Sequence, residues 1–213
     1  MSKSLDYPVK TAPRAPKFVG TIRGRNMFLL AAAGLLLVSV MLTGGRLRGV
    51  LTLKLRGSWL LFIALALQIL AISVFPNAGR PLLAIMHVAS YAVAGFVVLL
   101  NRSVRGVPTI GIGGLLNATA IAVNGGTMPA SPTALAAAGV VDSGGSFENS
   151  AALASPNLPF LGDIFAIPAS WPFHNVFSVG DILIVVGAAL LLHFACGSIV
   201  ATNQVAVRLC RWW

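Results

Sequence analysis

The 213-residue chain is 57% hydrophobic and 9% charged, with 15 Lys and Arg against 5 Asp and Glu, a formal net charge of +10 and a mean hydropathy of +0.88. Soluble domains carry roughly a quarter charged residues, so this composition excludes an ordinary soluble protein and points to an integral membrane protein. The positive balance does not read as a nucleic-acid footprint, because Lys and Arg flank the apolar runs; that placement sets topology and touches anionic membrane lipid, the one partner the composition itself suggests.

Residues 1–25 are polar and basic, with Pro8, Pro13 and Pro16 among Lys3, Lys10, Arg14, Lys17, Arg23 and Arg25. Such a segment cannot bury a core and is predicted to be disordered or to lie on anionic headgroups. Five apolar segments follow, each approaching the roughly 20 residues that cross about 30 Å of hydrocarbon. They are Asn26–Thr43, Ser58–Phe75 (stopped by Pro76), Pro81–Leu100, Val107–Val123 and Val179–Val200. Pro81 and Pro108 suit first-turn positions, and Gly125 is placed to close the fourth helix. Residues 201–213 form a short tail. The predicted fold is an all-α membrane protein, about five transmembrane helices in one bundle over 26–200, with a long extracytoplasmic loop, 125–178, between helices four and five.

Orientation follows from Lys and Arg in the short loops. Arg46, Arg48, Lys54 and Arg56 lie between segments one and two, Arg102 and Arg105 between three and four, and Arg208 and Arg211 after five. Only Arg80 lies between two and three, and the loop 125–178 has neither Lys nor Arg. Alternation places the basic loops and the C-terminus in the cytoplasm and the long loop outside the cell membrane. The same alternation puts the basic N-terminus outside, against the rule. A cleaved signal peptide is disfavoured by Arg46 and Arg48 just past Thr43-Gly44-Gly45, and segment one could fail to span. Translation from Met27 would remove the conflict and is the resolution we favour; a peptide from residues 1–20 in protein from the native host would overturn it.

Helical spacing puts His87, Ser90, Tyr91, Ala94 and Val98 on one face of the third segment, where small and polar residues belong against other helices. The fourth segment, with Gly111, Gly113, Gly114, Ala118 and Ala122, is predicted to sit centrally, touched by several neighbours. Its Asn117 and Asn124 share a second face. A polar seam is expected from Gln68, His87, Tyr91, Asn117 and Asn124, with His193 added from the fifth segment. Buried polar groups in lipid serve either helix-to-helix hydrogen bonds or function. The spans contain no deep carboxylate, Lys or Arg, which argues against an ion-coupled transporter or a carboxylate proton relay.

The outer loop is too long for a plain connector. Its first half, Ala130–Ser155, is rich in Ala, Ser and Gly and is predicted to be mobile, with a helical turn or two over Pro132–Ala138. Its second half carries Leu158-Pro159-Phe160-Leu161-Gly162-Asp163 and Trp171-Pro172-Phe173-His174, aromatic and Pro-rich, as expected of an interfacial flap. Ser178 can cap the fifth helix and Asp181 can meet its dipole. The alternative has Asp163, His174 and Asp181 lining a small polar pocket under the flap.

Enzyme motifs are absent or unsupported. Asp142-Ser143-Gly144-Gly145 reads as linker, no GxSxG occurs, Gly111-Ile112-Gly113 lacks the rest of a dinucleotide fingerprint, and Asn117-Ala118-Thr119 lies within a span. Cys196 and Cys210 have neither CxxC spacing nor a ligand set, so no metal is expected. His87 and His193 are the only residues that suggest haem ligation, and nothing fixes their depth or facing; no cofactor is expected.

The blocks Gly44-Gly45-Arg46-Leu47, Asn101-Arg102, Leu115-Leu116-Asn117 through Asn124-Gly125-Gly126-Thr127-Met128-Pro129, Leu158 to Asp163 and Asn175-Val176-Phe177-Ser178-Val179-Gly180-Asp181 resemble the bacterial multi-pass membrane family "domain of unknown function 5317". The resemblance covers about residues 27–200. It implies a multi-pass architecture starting near the first span, and it brings no activity, substrate or catalytic residue. The function expected is a binding or accessory subunit, with a possible membrane-protein partner at its outer face and Asn117, Asn124, Asp163, His174 and Asp181 as ligand or partner candidates. The rivals are a small transporter or channel, which needs a continuous polar path, and an intramembrane enzyme acting on lipid, which needs a nucleophile set.

Overall fold

The computed structural model describes residues 22–74, 79–140 and 150–201. Helix α1 spans Ile22–Leu42, the short α2 Arg48–Thr52, and α3 Trp59–Ile69, continued by a π-helical turn over Leu70–Val74. Helices α4 (Arg80–Leu100), α5 (Val107–Val123), α6 (Pro132–Ala138) and α7 (Val179–Ala195) follow. Between α5 and α7 lie the strands β1 (Met128–Pro129), β2 (Ser150–Ala151), β3 (Phe165–Ile167) and β4 (Asn175–Phe177), with a 3-10 turn over Pro159–Leu161. The chain is therefore mostly helical and not all-α. Within α4, Pro81–Leu100 is long and apolar enough to cross a membrane. The 21 residues of α4 reach about 31 Å at 1.5 Å per residue. Ala31–Leu42, α3, α5 and α7 are shorter apolar helices.

The helix ends obey local rules. Pro81 and Pro108 occupy first-turn positions of α4 and α5, where a missing N–H goes unnoticed. Helix α5 closes at Gly125, in the left-handed region at φ 67°. The Gly126 N–H then reaches back to Ile121 O at 2.9 Å and Gly125 N–H to Ala122 O at 3.4 Å, the paired bonds of a glycine C-cap. Gly197, at φ 63°, does the same for α7, with Ser198 N–H on His193 O at 3.1 Å. That turn ends α7 at Ala195, before the Val200 expected from hydropathy.

Helix α5 packs most extensively on α7 and also on α4, α4 packs on α3, and α1 lies against α7. Gly111 of α5 sits beside Val98 of α4, and Gly106 beside Gly187 and Leu191 of α7, so α5 is antiparallel to both. The ends of α1 and α7 meet through Ser39 and His193 at 3.2 Å, so these two helices run parallel. The ends of α1, α4 and α7, the starts of α3 and α5, and α2 thus gather at one end, here termed basal. The opposite end carries the segment between α5 and α7.

The α5–α7 seam is a backbone-to-backbone contact. A Cβ added at Gly113 would strike Gly180 O, one at Gly106 would strike Gly187 O, and one at Gly187 would lie 2.6 Å from Ile110 N. On each helix the two glycines are seven residues apart, two turns along one face. Helix α5 is not enclosed on all sides as expected. Its third face is open, with Ile112 and Leu115 56% and 66% exposed and nothing within 4 Å of a Cβ at Gly114.

The segment between α5 and α7 is a small folded cap. Strand β1 pairs in parallel with β2 (Met128 opposite Ser150), and β3 pairs antiparallel with β4 (Phe165 opposite Phe177). Helix α6 coincides with the expected Pro132–Ala138 turn, ends at Gly139, and packs on both β3 and β4. Ala130, Ala134, Leu135 and Ala138 form a core with Val176. All but Val176 belong to the half expected to be mobile; the small side chains that suggested a linker are what let α6 sit close to the hairpin. Residues 141–149, which contain the Asp142-Ser143-Gly144-Gly145 motif, lie outside the described residues, as do the N-terminal extension up to residue 21 and the tail from residue 202.

Candidate functional site at the cap

The cap is fastened to the helices by side chains that the sequence singles out. Asn117, 5% exposed on α5, meets the start of α7. Its Nδ2 donates to Asp181 Oδ1 at 2.8 Å, and its Oδ1 accepts from the Ser178 hydroxyl at 2.9 Å. Ser178 and Asp181 form a capping box: Asp181 N–H donates to Ser178 Oγ at 3.0 Å and Ser178 N–H to Asp181 Oδ2 at 2.9 Å. The Asp181 carboxylate therefore takes a hydrogen bond on each oxygen. Gly180 makes room for this arrangement, since a Cβ there would collide with Asn117 Oδ1.

Asn124 works alike. Its Oδ1 accepts from Asn157 N–H and its Nδ2 donates to Asn157 O, both at 2.8 Å, while Asn157 Nδ2 donates to Val123 O at 3.1 Å. The next residue, Leu158, is held at φ 49°, a left-handed conformation that costs a branched side chain energy. Asp163, 6% exposed, is the strut of the cap: its N–H donates to Pro129 O at 2.9 Å, its carbonyl accepts from Ser131 N–H at 3.0 Å, and its carboxylate accepts from the Ser150 hydroxyl. His174 Nδ1 donates to Ala138 O at 3.0 Å, pinning the hairpin to α6.

Asp163, His174 and Asp181, considered from sequence as a shared pocket, hydrogen-bond to the Ser150 hydroxyl, to Ala138 O, and to Asn117 and Ser178 respectively. Tyr91 packs against Ala120, Ile121 and Met128, and its ring lies 5.6 Å from that of fully buried His87. His87 Nδ1 donates to Gly126 O at 2.7 Å, tying α4 to the turn that closes α5.

The expected polar seam is split. His87, Tyr91, Asn117 and Asn124 belong to the cap end. His193 belongs to the basal end, its ring nitrogens meeting Ser39 Oγ at 3.2 Å and Ser198 Oγ at 2.7 Å. Ser39 donates its own proton to Leu36 O at 2.7 Å and so accepts from His193 Nε2–H. Gln68 is half-buried on α3. Sequence reasoning missed Asn157, Ser150 and Asn101. Asn101, 3% exposed, accepts Arg56 N–H at 2.8 Å and donates to Arg56 O at 2.9 Å, latching α3 to α4. An Asn at the end of an apolar run was the available signal.

These features define a mostly helical protein with a folded, polar-anchored cap over one end of its apolar helices. Residues 52–193 match the model of a family described as "Family of unknown function (DUF5317)", and the chain belongs to that family. The match is narrower than the 27–200 of the resemblance; it runs from the end of α2 to His193 and leaves α1 outside. No curated protein and no solved structure matches the chain.

Proposed function

We propose that the protein is a multi-pass membrane protein of five spans, α1, α3, α4, α5 and α7, whose cap lies outside the cell and serves as a docking platform for a membrane-protein partner. The observation that carries this reading is the pairing of rigid anchoring with apolar exposure. Leu158 is kept in its strained conformation beside the Asn124–Asn157 clamp, and Phe160 and Trp171 are 61% and 64% exposed on the same cap. Strain that surrounding structure sustains marks a position selected for something other than stability, and exposed aromatics are the common anchors of interfaces. Against a conducting path stands the α5–α7 seam, where glycines bring the backbones together. Against lipid chemistry stands the commitment of Asp163 and Asp181 to hydrogen bonds within the fold.

A photo-crosslinking residue placed at Trp171 or Phe160 tests this in the native host. The expected result is one crosslinked polypeptide of definite mass, and its capture from position 171 is lost when Leu158 and Phe160 are both replaced by Ser while the cap stays resistant to protease. Crosslinks to lipid alone from both positions would make the aromatics a membrane-interface belt and remove the docking role.

A further inference from the structure

The basal end holds a feature that the cap reading does not use. Arg105, in the turn between α4 and α5, sits with its guanidinium carbon 4.4 Å from the centroid of the Phe194 ring on α7. The pair borders a cavity of about 280 Å³ whose remaining lining is Leu53, Val104, Leu191 and Ala195. A single cation therefore faces an otherwise apolar groove. Stacking on an aromatic ring fixes the plane of a guanidinium while leaving its N–H edge for an oxyanion, the geometry in which Arg recognises phosphate.

The charge around the groove has one sign. Arg46, Arg48, Lys54, Arg56 and Arg102 are exposed at this end with Arg105, while the two carboxylates among the described residues, Asp163 and Asp181, belong to the cap end. Exposed apolar side chains stand at the same end, with Leu51 of α2, two residues before Leu53 of the lining, 87% exposed and Ile199 59% exposed. The volume lies at the lower edge of the roughly 300–1,000 Å³ of small-molecule pockets, so it suits a headgroup whose chains lie outside.

We propose that this groove is a site for an anionic phospholipid, with Arg105 binding the headgroup phosphate and the acyl chains running along the exposed apolar helix faces. Charge complementarity and the apolar approach select this occupant over a soluble anion. The proposal rests on the membrane-embedded reading but not on the docking role of the cap.

Native mass spectrometry of the full chain in mild detergent, offered equal amounts of phosphatidylglycerol and phosphatidylcholine, tests it. Both lipids carry a phosphate, but the choline ammonium cancels its charge and is repelled at this basic end, so phosphatidylglycerol is expected to be retained in preference by about five- to tenfold, the scale of one cation against an anionic lipid. Arg105→Gln should bring the two lipids to parity, while Arg102→Gln, at an exposed cation outside the groove, should keep the preference. Should Arg105→Gln not fold, Leu53→Asp places a carboxylate in the groove that competes with a lipid phosphate for Arg105 while keeping Arg105 and Phe194 in the chain, and the same loss is expected. Equal loss in Arg102→Gln would reduce the effect to diffuse surface charge and overturn the site. Complete displacement of the lipid by inorganic phosphate would make it a simple anion site and also overturn it. Absence of every bound lipid would overturn the site itself, while recovery of the chain in the soluble fraction without detergent would overturn the membrane reading on which it rests.

Discussion

Three asparagines perform one task at different helix ends. Asn101 engages both the N–H and the C=O of Arg56, Asn124 engages both the N–H and the C=O of Asn157, and Asn117 spans the Ser178 hydroxyl and the Asp181 carboxylate. A side-chain amide offers one acceptor and two donors and no net charge, so it can satisfy a foreign backbone in an apolar setting at no ionic cost. Asn117→Ala should cost about 1–3 kcal/mol, because it removes partners from two polar groups at a buried site. Thermal unfolding in detergent checks this, with Asn124→Ala expected to cost less, since its bonds to Asn157 are exposed. A stability unchanged by Asn117→Ala would mean that water replaces the amide and that the residue is free for a ligand. Asn117, Asn124 and Asp181 could be picked from sequence because they interrupt or start apolar runs. Their partners could not, because Asn157 and Ser150 sit among loop residues of the same polarity, with a separation in the chain that no local pattern encodes.

At the scale of elements, the pairing of α5 with α7 shows what hydropathy hides. The glycine content of α5 was legible, and it suggested a helix surrounded by others. The structure instead assigns each glycine a side: Gly111 to α4, Gly106 and Gly113 to α7, and Gly114 to the open face. Direction is invisible in composition, since it depends on which partner glycine, Gly180 or Gly187, the fold brings opposite. Substitutions by the same residue should therefore diverge. Gly180→Ala, whose Cβ would strike Asn117 Oδ1 and lie 2.7 Å from Gly113 O, should lose about 2–3 kcal/mol. Gly114→Ala meets open space and should be neutral or gain up to ~1 kcal/mol from helix propensity. Unfolding of the two variants side by side checks the register of the seam, and similar losses in both would show that the register is wrong. The helix ends were more legible than the faces. Gly125 and the two first-turn prolines act through a residue's own backbone, which sequence states directly, whereas α7 was drawn too long because Gly197 interrupts a run whose hydropathy does not fall.

For the whole molecule, the helix directions convert the basic loops of the sequence into a basic end. Arg46, Arg48, Lys54, Arg56, Arg102 and Arg105 gather there although they come from two separate loops, because α3 and α4 return the chain to the same end each time. The described residues of 125–178 lie at the cap end, and that stretch has neither Lys nor Arg, but Arg80 stands at the start of α4 and Arg23 and Arg25 in the first turn of α1. Loop charge favours a cytoplasmic basal end by six to one when α1 is set aside, and the excess persists, six to three, when its two arginines are counted. Cysteine labelling in intact cells decides the matter, starting from a chain with Cys196 and Cys210 replaced by Ala. Ser170→Cys, in the exposed turn between β3 and β4, should react with a membrane-impermeant maleimide before lysis. Ser103→Cys, in the exposed turn between α4 and α5, should react only after the membrane is opened. The reverse pattern would turn the protein over and place the cap in the cytoplasm, and the docking partner would then be sought there. Labelling of both before lysis would mean that α5 does not separate the two turns across a bilayer, and the five-span architecture would fall with it.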